Sequence, residues 1–265
     1  MTEASVRPCP SPDFTRKYEW AGYALGFGLG GFFDGILLHQ VLQWHHLLSG
    51  IEEARQDIRV LILADGAFHV LMYVVTGIGL WLLWRGRQEF SAPGADRRLF
   101  ANALIGFGFW HVLDSVLSHW ILGIHRIRMD VDDPLFWDLL WFGLFGIVPL
   151  LLGWFVRQGG SGSTGRTARA PLVLALAAAL AGPVAALPPP DQTTVMVMFW
   201  PGVTPARAAA AMSAVDGRLV WTDASQQLWA IDLSSGGDAS LLYRHGAMLV
   251  GNSIVPVGCF DWIRT

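Results

Sequence analysis

Charge is scarce in this chain. Asp, Glu, Lys and Arg make up 15% of its 265 residues, and Lys17 is the single lysine among 18 basic residues. A soluble domain carries about 25% charged residues, so there is too little charge here to cover one globular surface. The formal net charge of −3 excludes nucleic acid as a partner held through a basic face. Cysteine is nearly absent as well: Cys9 and Cys259 make neither a disulfide scaffold nor a thiolate metal cluster. No H-E-x2-H, G-x-S-x-G, P-loop or C-x2-C occurs, which removes the usual metalloprotease, serine-nucleophile, nucleotide-phosphate and dithiol chemistries. Met72 and Met129 are the only mid-chain methionines, so that stretch has no thioether ladder for Cu(I).

Apolar residues are abundant instead: 53% of the chain is hydrophobic and it holds 13 tryptophans, residues that settle at membrane interfaces. About 20 apolar residues cross a bilayer as a helix. Trp20–Leu48, Val60–Trp84, Leu99–Ile124 and Leu135–Val156 meet that length, and Pro171–Leu187 is a shorter, alanine-rich fifth candidate. The reading is an integral membrane protein whose first partner is the lipid bilayer. Residues 1–18 are polar and read as a cytoplasmic tail, and 158–170, with Gly159-Gly160-Ser161-Gly162-Ser163, as a cytoplasmic linker. The N-tail, second loop and fourth loop carry ten Lys and Arg, whereas the first and third loops carry only Arg55, Arg59, Arg126 and Arg128. That bias places the N-terminus in the cytoplasm of a bacterial inner membrane and residues 191–265 in the periplasm or outside. A rival reading makes Pro171–Ala186 an internal signal cleaved near Ala185-Ala186.

Beyond Thr193 the pattern becomes soluble. Thr194–Trp200, Gly217–Thr222, Gln227–Leu233 and Met248–Val255 read as strands, and Pro205–Val215 and Asp238–His245 as helices. The order βαββαβ predicts an α+β ferredoxin-like domain. Met196 and Met198 share a strand face, where they read as core residues. With Met212, Met248, His245 and Cys259 they are the domain's only soft donors. The domain is expected to act as a lid or docking module and not as a second metal site.

Comparison of the chain with itself places the chemistry. At an offset of 80, Gly26-Phe27-Gly28 falls on Gly106-Phe107-Gly108, Asp34 on Asp114, His39 on His119 and His45 on His125. At an offset of 73, Asp65 falls on Asp138. Two helical hairpins of like orientation, related as a parallel repeat, are therefore expected. Gly26-x-Gly28-x2-Gly31 matches a dinucleotide fingerprint by letters, but no strand precedes it, so small residues for close helix packing explain it better.

Asp inside a membrane helix costs at least roughly 2.5–3.5 kcal/mol, so four Asp beside several His call for mutual pairing or a cation. Imidazole and carboxylate from several helices suit iron, zinc, manganese or Cu(II). The candidate ligands are His39, Asp65, His69, His119, Asp34, His45, Asp114, His111, His125 and Asp138, with the first four the preferred set. Asp65 and His69 share a helix face, as do His111 and Asp114. His46 and His125 read as residues facing water at the outer interface. Haem b stays open through an opposed pair such as His69 and His111. The alternative is a set of Asp–His hydrogen bonds that only fix helix register.

The strings Gly31-Phe32-Phe33-Asp34-Gly35-Ile36-Leu37-Leu38-His39-Gln40, Gln43-Trp44-His45-His46, Ala64-Asp65-Gly66-Ala67-Phe68-His69 and Leu122-Gly123-Ile124-His125 resemble a family of multi-span bacterial membrane proteins, domain of unknown function 2243. The resemblance covers about residues 18–157 and implies four spans. In the third span, Ser118-His119 and His125-Arg126 stand where family-like His-His pairs would be, and a family-like Asn-x2-Glu-Gly segment is replaced around His111–Ser115.

The sequence thus predicts a membrane metalloprotein with a copper, iron or zinc centre in the outer half of the bilayer. Its rivals are a haem or non-haem-iron oxidoreductase and an accessory or assembly subunit of a respiratory or other membrane complex.

Overall fold

The computed structural model describes residues 14–42, 44–158, 169–186 and 193–252. Cys9, Cys259, Gln43, most of the N-terminal tail and the glycine-serine linker lie outside the described residues, as does Pro188-Pro189-Pro190. The chain divides into two compact units, one of Met1–Asp34 with Ala67–Gly182 and one of Gly35–Gly66 with Pro183–Thr265.

Helix α1 spans Arg16–Asp34, α2 Glu52–Arg55, α3 Ile58–Arg85 and α4 Ala95–Asp114. Helix α5 spans Pro134–Trp141, α6 Val148–Gln158, α7 Arg169–Ala186 and α8 Pro205–Ser213. Three π-helical stretches extend these: Gly35–Val41 after α1, Ser115–Ile121 after α4, and Phe142–Ile147 joining α5 to α6. The last precedes Pro149, which has no N–H and crowds the carbonyl four residues back, so a regular α-helix cannot run through. Among the described residues four helices are long and apolar enough to cross a membrane: Arg16–His39, Arg59–Arg85, Ala95–Ile121 and Pro134–Gln158. The fifth candidate, α7, is a shorter apolar helix.

The first and third spans start about one turn earlier than the sequence expectation, at Arg16 and Ala95, and both also stop short of it. The first helix stops at Val41, not at Leu48, and the third at Ile121, not at Ile124. The stop is hidden in the sequence because Leu42, Trp44, Leu47 and Leu48 after the first helix, and Leu122 and Ile124 after the third, prolong the apolar pattern.

In the first unit, α1 and α4 run parallel and nearly touch. A Cβ at Gly26 would stand 1.9 Å from the Ala103 carbonyl oxygen, and one at Gly106 2.1 Å from that of Tyr23. Helix α3 lies antiparallel to α1, with Thr76 against Gly28 and Met72 against Gly31, and α6 lies antiparallel to α4, with Gly153 against Ala101. Charge collects at one end of this unit. Glu19 bonds Arg98, Arg157 lies 3.6 Å from Glu19 and donates to the Tyr23 hydroxyl, and Tyr18 donates to the Ala95 carbonyl at 3.1 Å. Leu174 and Ala178 of α7 pack with Tyr18, Leu99 and Ala103 at that end. Val70, Trp81, Phe109, Leu151 and Phe155 face outward, at least half exposed, as lipid contact requires.

In the second unit a four-stranded antiparallel sheet has the order β2-β3-β1-β4, with β1 Thr194–Phe199, β2 Arg218–Thr222, β3 Leu228–Asp232 and β4 Ala247–Asn252. Helix α8 starts at Pro205, capped by the Thr204 hydroxyl, and packs Ala208 and Ala211 on Val195, Val197 and Phe199. The predicted second helix is a 3-10 segment, Ala239–His245. The other sheet face is also buried. Met196, Met198, Leu228 and Ala230 gather with Trp221, Met248 and Ile62 of α3. Nearby, Arg59 bonds Asp57 at 2.6 Å and reaches Asp223 at 3.7 Å. The hydrogen bond from Arg59 holds the Asp57 carboxyl below its ordinary range.

Candidate metal centre

The π-helical stretches set the geometry. Their hydrogen bonds run from residue i+5 to residue i, as from the Leu42 N–H to the Leu37 carbonyl and from the Leu122 N–H to the Leu117 carbonyl, both 2.8 Å. In an α-helix, residues five apart point about 140° away from each other. A π-helix instead stacks residues about five apart. Asp34 therefore comes beneath His39, and Asp114 beneath His119. Each stretch ends in a wider turn, Trp44 N–H to the Leu38 carbonyl and Ile124 N–H to the Ser118 carbonyl, both 2.9 Å. In the second, Gly123 adopts φ +63°, a left-handed conformation open to glycine, and the chain swings back to bring in His125.

The result is two buried groups, Asp34 with His39 and His45, and Asp114 with His119 and His125. In each, one ligand atom per residue lies within 4.8 Å of the others. His39 Nε2 and His45 Nε2 are 3.1 Å apart, and their rings stand 4.7 Å apart at 72°. His119 Nε2 lies 3.1 Å from Asp114 Oδ2 and His125 Nε2 3.5 Å from Asp114 Oδ1, with the rings 4.8 Å apart at 71°. A tetrahedral ion with bonds of about 2.0–2.1 Å separates its ligand atoms by about 3.3–3.4 Å. The separations of His39 from His45 and of Asp114 from His119 and His125 lie near that spacing, and each group, with its ligand atoms within 4.8 Å of one another, could hold a metal ion.

Further carboxylates stand behind the rings. Asp65 Oδ1 lies 3.1 Å from His39 Nδ1 and accepts the Leu47 N–H at 2.8 Å, while Asp65 Oδ2 is 2.7 Å from His46 Nδ1. Asp138 Oδ1 lies 3.1 Å from His119 Nδ1 and accepts the Ile127 N–H at 3.0 Å, while Asp138 Oδ2 accepts from Arg126 at 2.7 Å. Each carboxylate thus meets the ring nitrogen that faces away from the Nε2 cluster. Metal-bound histidines are oriented in this manner in known sites.

The ten candidate residues sort accordingly. Six form the two groups, and Asp65 and Asp138 stand behind them. His69 and His111 belong to neither group. His69 packs beside Phe32 and Phe68. His111 is ringed by Phe33, Phe107, Trp141 and Phe145, and its Nδ1 accepts the Trp141 indole N–H at 3.2 Å. The preferred set of His39, Asp65, His69 and His119 is not brought together as one group. His125 is buried, not facing water, because the turn at Gly123 folds it inward, and His46 is held by Asp65. Sequence reasoning passed over Arg126 and the N–H groups of Leu47 and Ile127. The offset of 80 that pairs His46 with Arg126 was the available signal for the first of these.

The family described as "Predicted membrane protein (DUF2243)" matches residues 21–160, more than half of the chain. The chain belongs to that family. The DUF2243 region holds both Asp-His-His groups, Asp65 and Asp138, and the four candidate spans except the first residues of the first, whereas the sheet lies outside it. Neither a curated protein nor a solved structure matches the chain.

Proposed function

We propose that this DUF2243 protein is a membrane metalloprotein with two mononuclear centres, one held by Asp34, His39 and His45 and the other by Asp114, His119 and His125. The observation that carries this reading is the division of labour within one imidazole of each group, that of His39 in the first and of His119 in the second. Nε2 joins the cluster while Nδ1 meets a separate carboxylate, and the same arrangement recurs in the two groups. Two imidazoles and one carboxylate with an open position suit Fe(II) or Zn(II), with manganese and Cu(II) next. Haem fits less well, because a porphyrin needs imidazoles on opposite faces of a flat ring. Here the paired rings are steeply tilted and a carboxylate joins each pair.

Purified protein should carry about two such ions per chain and show no Soret band. A folded chain with no bound metal would instead make the polar groups a packing device. Asp138→Asn and Asp65→Asn should each weaken one site about 10–100-fold without removing it, as loss of an orienting partner does. Metal-competition titration reads that loss, and complete loss would make these carboxylates direct ligands.

The remaining assignments belong to the same reading. The two hairpins form a parallel repeat, and the arginine-rich end of the first unit is cytoplasmic. Arg98 and Asp114 are separated by about 24 Å along α4, so the second centre lies in the outer half of the inner membrane. Helix α7 is a fifth crossing, and the sheet, a ferredoxin-like domain by strand order, lies in the periplasm. There it acts as a cover on the segment holding the first centre. Its support is the packing of Ile62, one turn before Asp65, into the methionine-lined face. Ile62→Asp should therefore loosen metal at the first centre several-fold and leave the second unchanged. Equal effects on both would refute the cover.

A further inference from the structure

The charged end of the first unit holds more cations than its carboxylates can pair. The three carboxylates described there are taken: Glu19 by Arg98 and Arg157, Glu89 by the Thr15 N–H and hydroxyl, and Asp96 by the Arg169 N–H. Arg85 ends α3 and Arg87 follows it; both are exposed and form no ion pair among the described residues. What lies under them sets them apart. The Arg85 guanidinium is 5.5 Å from the centre of the Trp81 ring, and that of Arg87 4.8 Å from the Trp84 ring. Arg87 Nη1 also donates to the Trp84 carbonyl at 3.0 Å, which uses one of the side chain's N–H donors. Stacking occupies the flat face of a guanidinium and leaves its N–H edge, the part that grips a phosphate through parallel hydrogen bonds. Trp81 and Trp84 are i,i+3 neighbours on α3, so the two edges belong to one patch.

An apolar track leads up to this patch. Val74, Ile78 and Trp81 succeed one another on the face of α3 that ends in Arg85, and each is at least half exposed. From Val74 to Arg85 the helix rises about 16 Å, close to the roughly 15 Å of hydrocarbon in one leaflet.

We propose that this face of α3 holds an anionic glycerophospholipid, with its phosphodiester between Arg85 and Arg87 and one acyl chain along Val74, Ile78 and Trp81. The indoles stand between the two parts, at the depth where tryptophan rings settle. A zwitterionic lipid brings the same phosphate together with a cation that the guanidiniums repel, so the site selects headgroups of net negative charge. The inference is independent of the metal centres and of which side of the membrane this end faces.

The test is native mass spectrometry of the full chain in detergent, titrated with phosphatidylglycerol or with phosphatidylcholine of the same acyl chains. The native chain should bind one phosphatidylglycerol about tenfold or more tightly than phosphatidylcholine, since each arginine near a headgroup is worth about fivefold. Arg85→Gln with Arg87→Gln should remove most of that preference. Arg16 and Lys17, at the start of α1, are exposed at the same end and lie over no ring among the described residues. Replacing both by Gln removes the same charge and should change the preference by no more than about twofold, because exposed charges off the site are screened. Trp84→Leu, with every charge kept, should loosen the lipid several-fold by releasing the stacked guanidinium. Equal losses from the two double variants, or equal binding of the two lipids by the native chain, would overturn the site. Displacement of the lipid by millimolar inorganic phosphate would make it a free-phosphate site, and a dimer abolished by the Arg85 and Arg87 substitutions would put a second copy there. Either result would overturn the lipid assignment.

Discussion

His119→Ala should remove one of two bound metal ions and leave the other in place. His119 supplies Nε2 to its group and spends Nδ1 on Asp138, so no neighbouring ring substitutes for it. The remaining donors, Asp114 and His125, cannot close a three-point site, and affinity should fall by several orders of magnitude. His39→Ala should do the same to the other ion, and the double variant should hold none. His69→Ala and His111→Ala should keep both, because neither residue belongs to a group and His111 already accepts from Trp141. Metal analysis of the five proteins, checked for helicity, decides the matter. A single ion lost only when both His39 and His119 are replaced would mean one shared site.

The second large effect is structural. Gly106→Leu should prevent the bundle from assembling, because even its Cβ would fall 2.1 Å from the Tyr23 carbonyl oxygen and 2.9 Å from the Phe27 nitrogen. Both neighbours are backbone, so α1 and α4 must separate along their length. Overpacking typically costs about 1–3 kcal/mol, and a backbone clash belongs at or above the top of that range. The control is Gly77→Ala, where nothing lies within 4 Å of the new Cβ. There the exchange should be neutral or stabilising by up to about 1 kcal/mol, the helix-propensity difference. Thermal unfolding in detergent compares the two, and equal midpoints would show that α1 and α4 need not touch.

The sequence carried most of the fold. Long apolar runs disclosed the four spans, and βαββαβ order anticipated the sheet. The offset of 80 brought Asp34, His39 and His45 into line with Asp114, His119 and His125 before any geometry was known. What it concealed was the local helix type. Under α-helical geometry Asp34 and His39 diverge, and depth alone then favoured His39, His119, Asp65 and His69 as a set. The π-helical turns reverse that judgement by stacking residues five apart, and composition gives no warning, since Gly35–Val41 is as apolar as the helix before it. The inward return of His125 depends on the backbone at Gly123, a residue whose letter allows a left-handed turn without requiring one. The sequence allowed Asp partners to orient the imidazoles, but did not disclose that Asp65 would stand behind His39 and Asp138 behind His119, because each comes from a different helix than the ring it meets.

The most direct test of the two-centre account is an anomalous-difference map from crystals of the full chain grown with Zn(II) or Fe(II) and recorded at the metal edge. The account predicts two peaks of comparable height, one bounded by Asp34 Oδ, His39 Nε2 and His45 Nε2, the other by Asp114 Oδ, His119 Nε2 and His125 Nε2. Asp65 and Asp138 should lie one ring further out. A map of the folded bundle with no peak in either group, or with a peak at His69 or His111 instead, would contradict it.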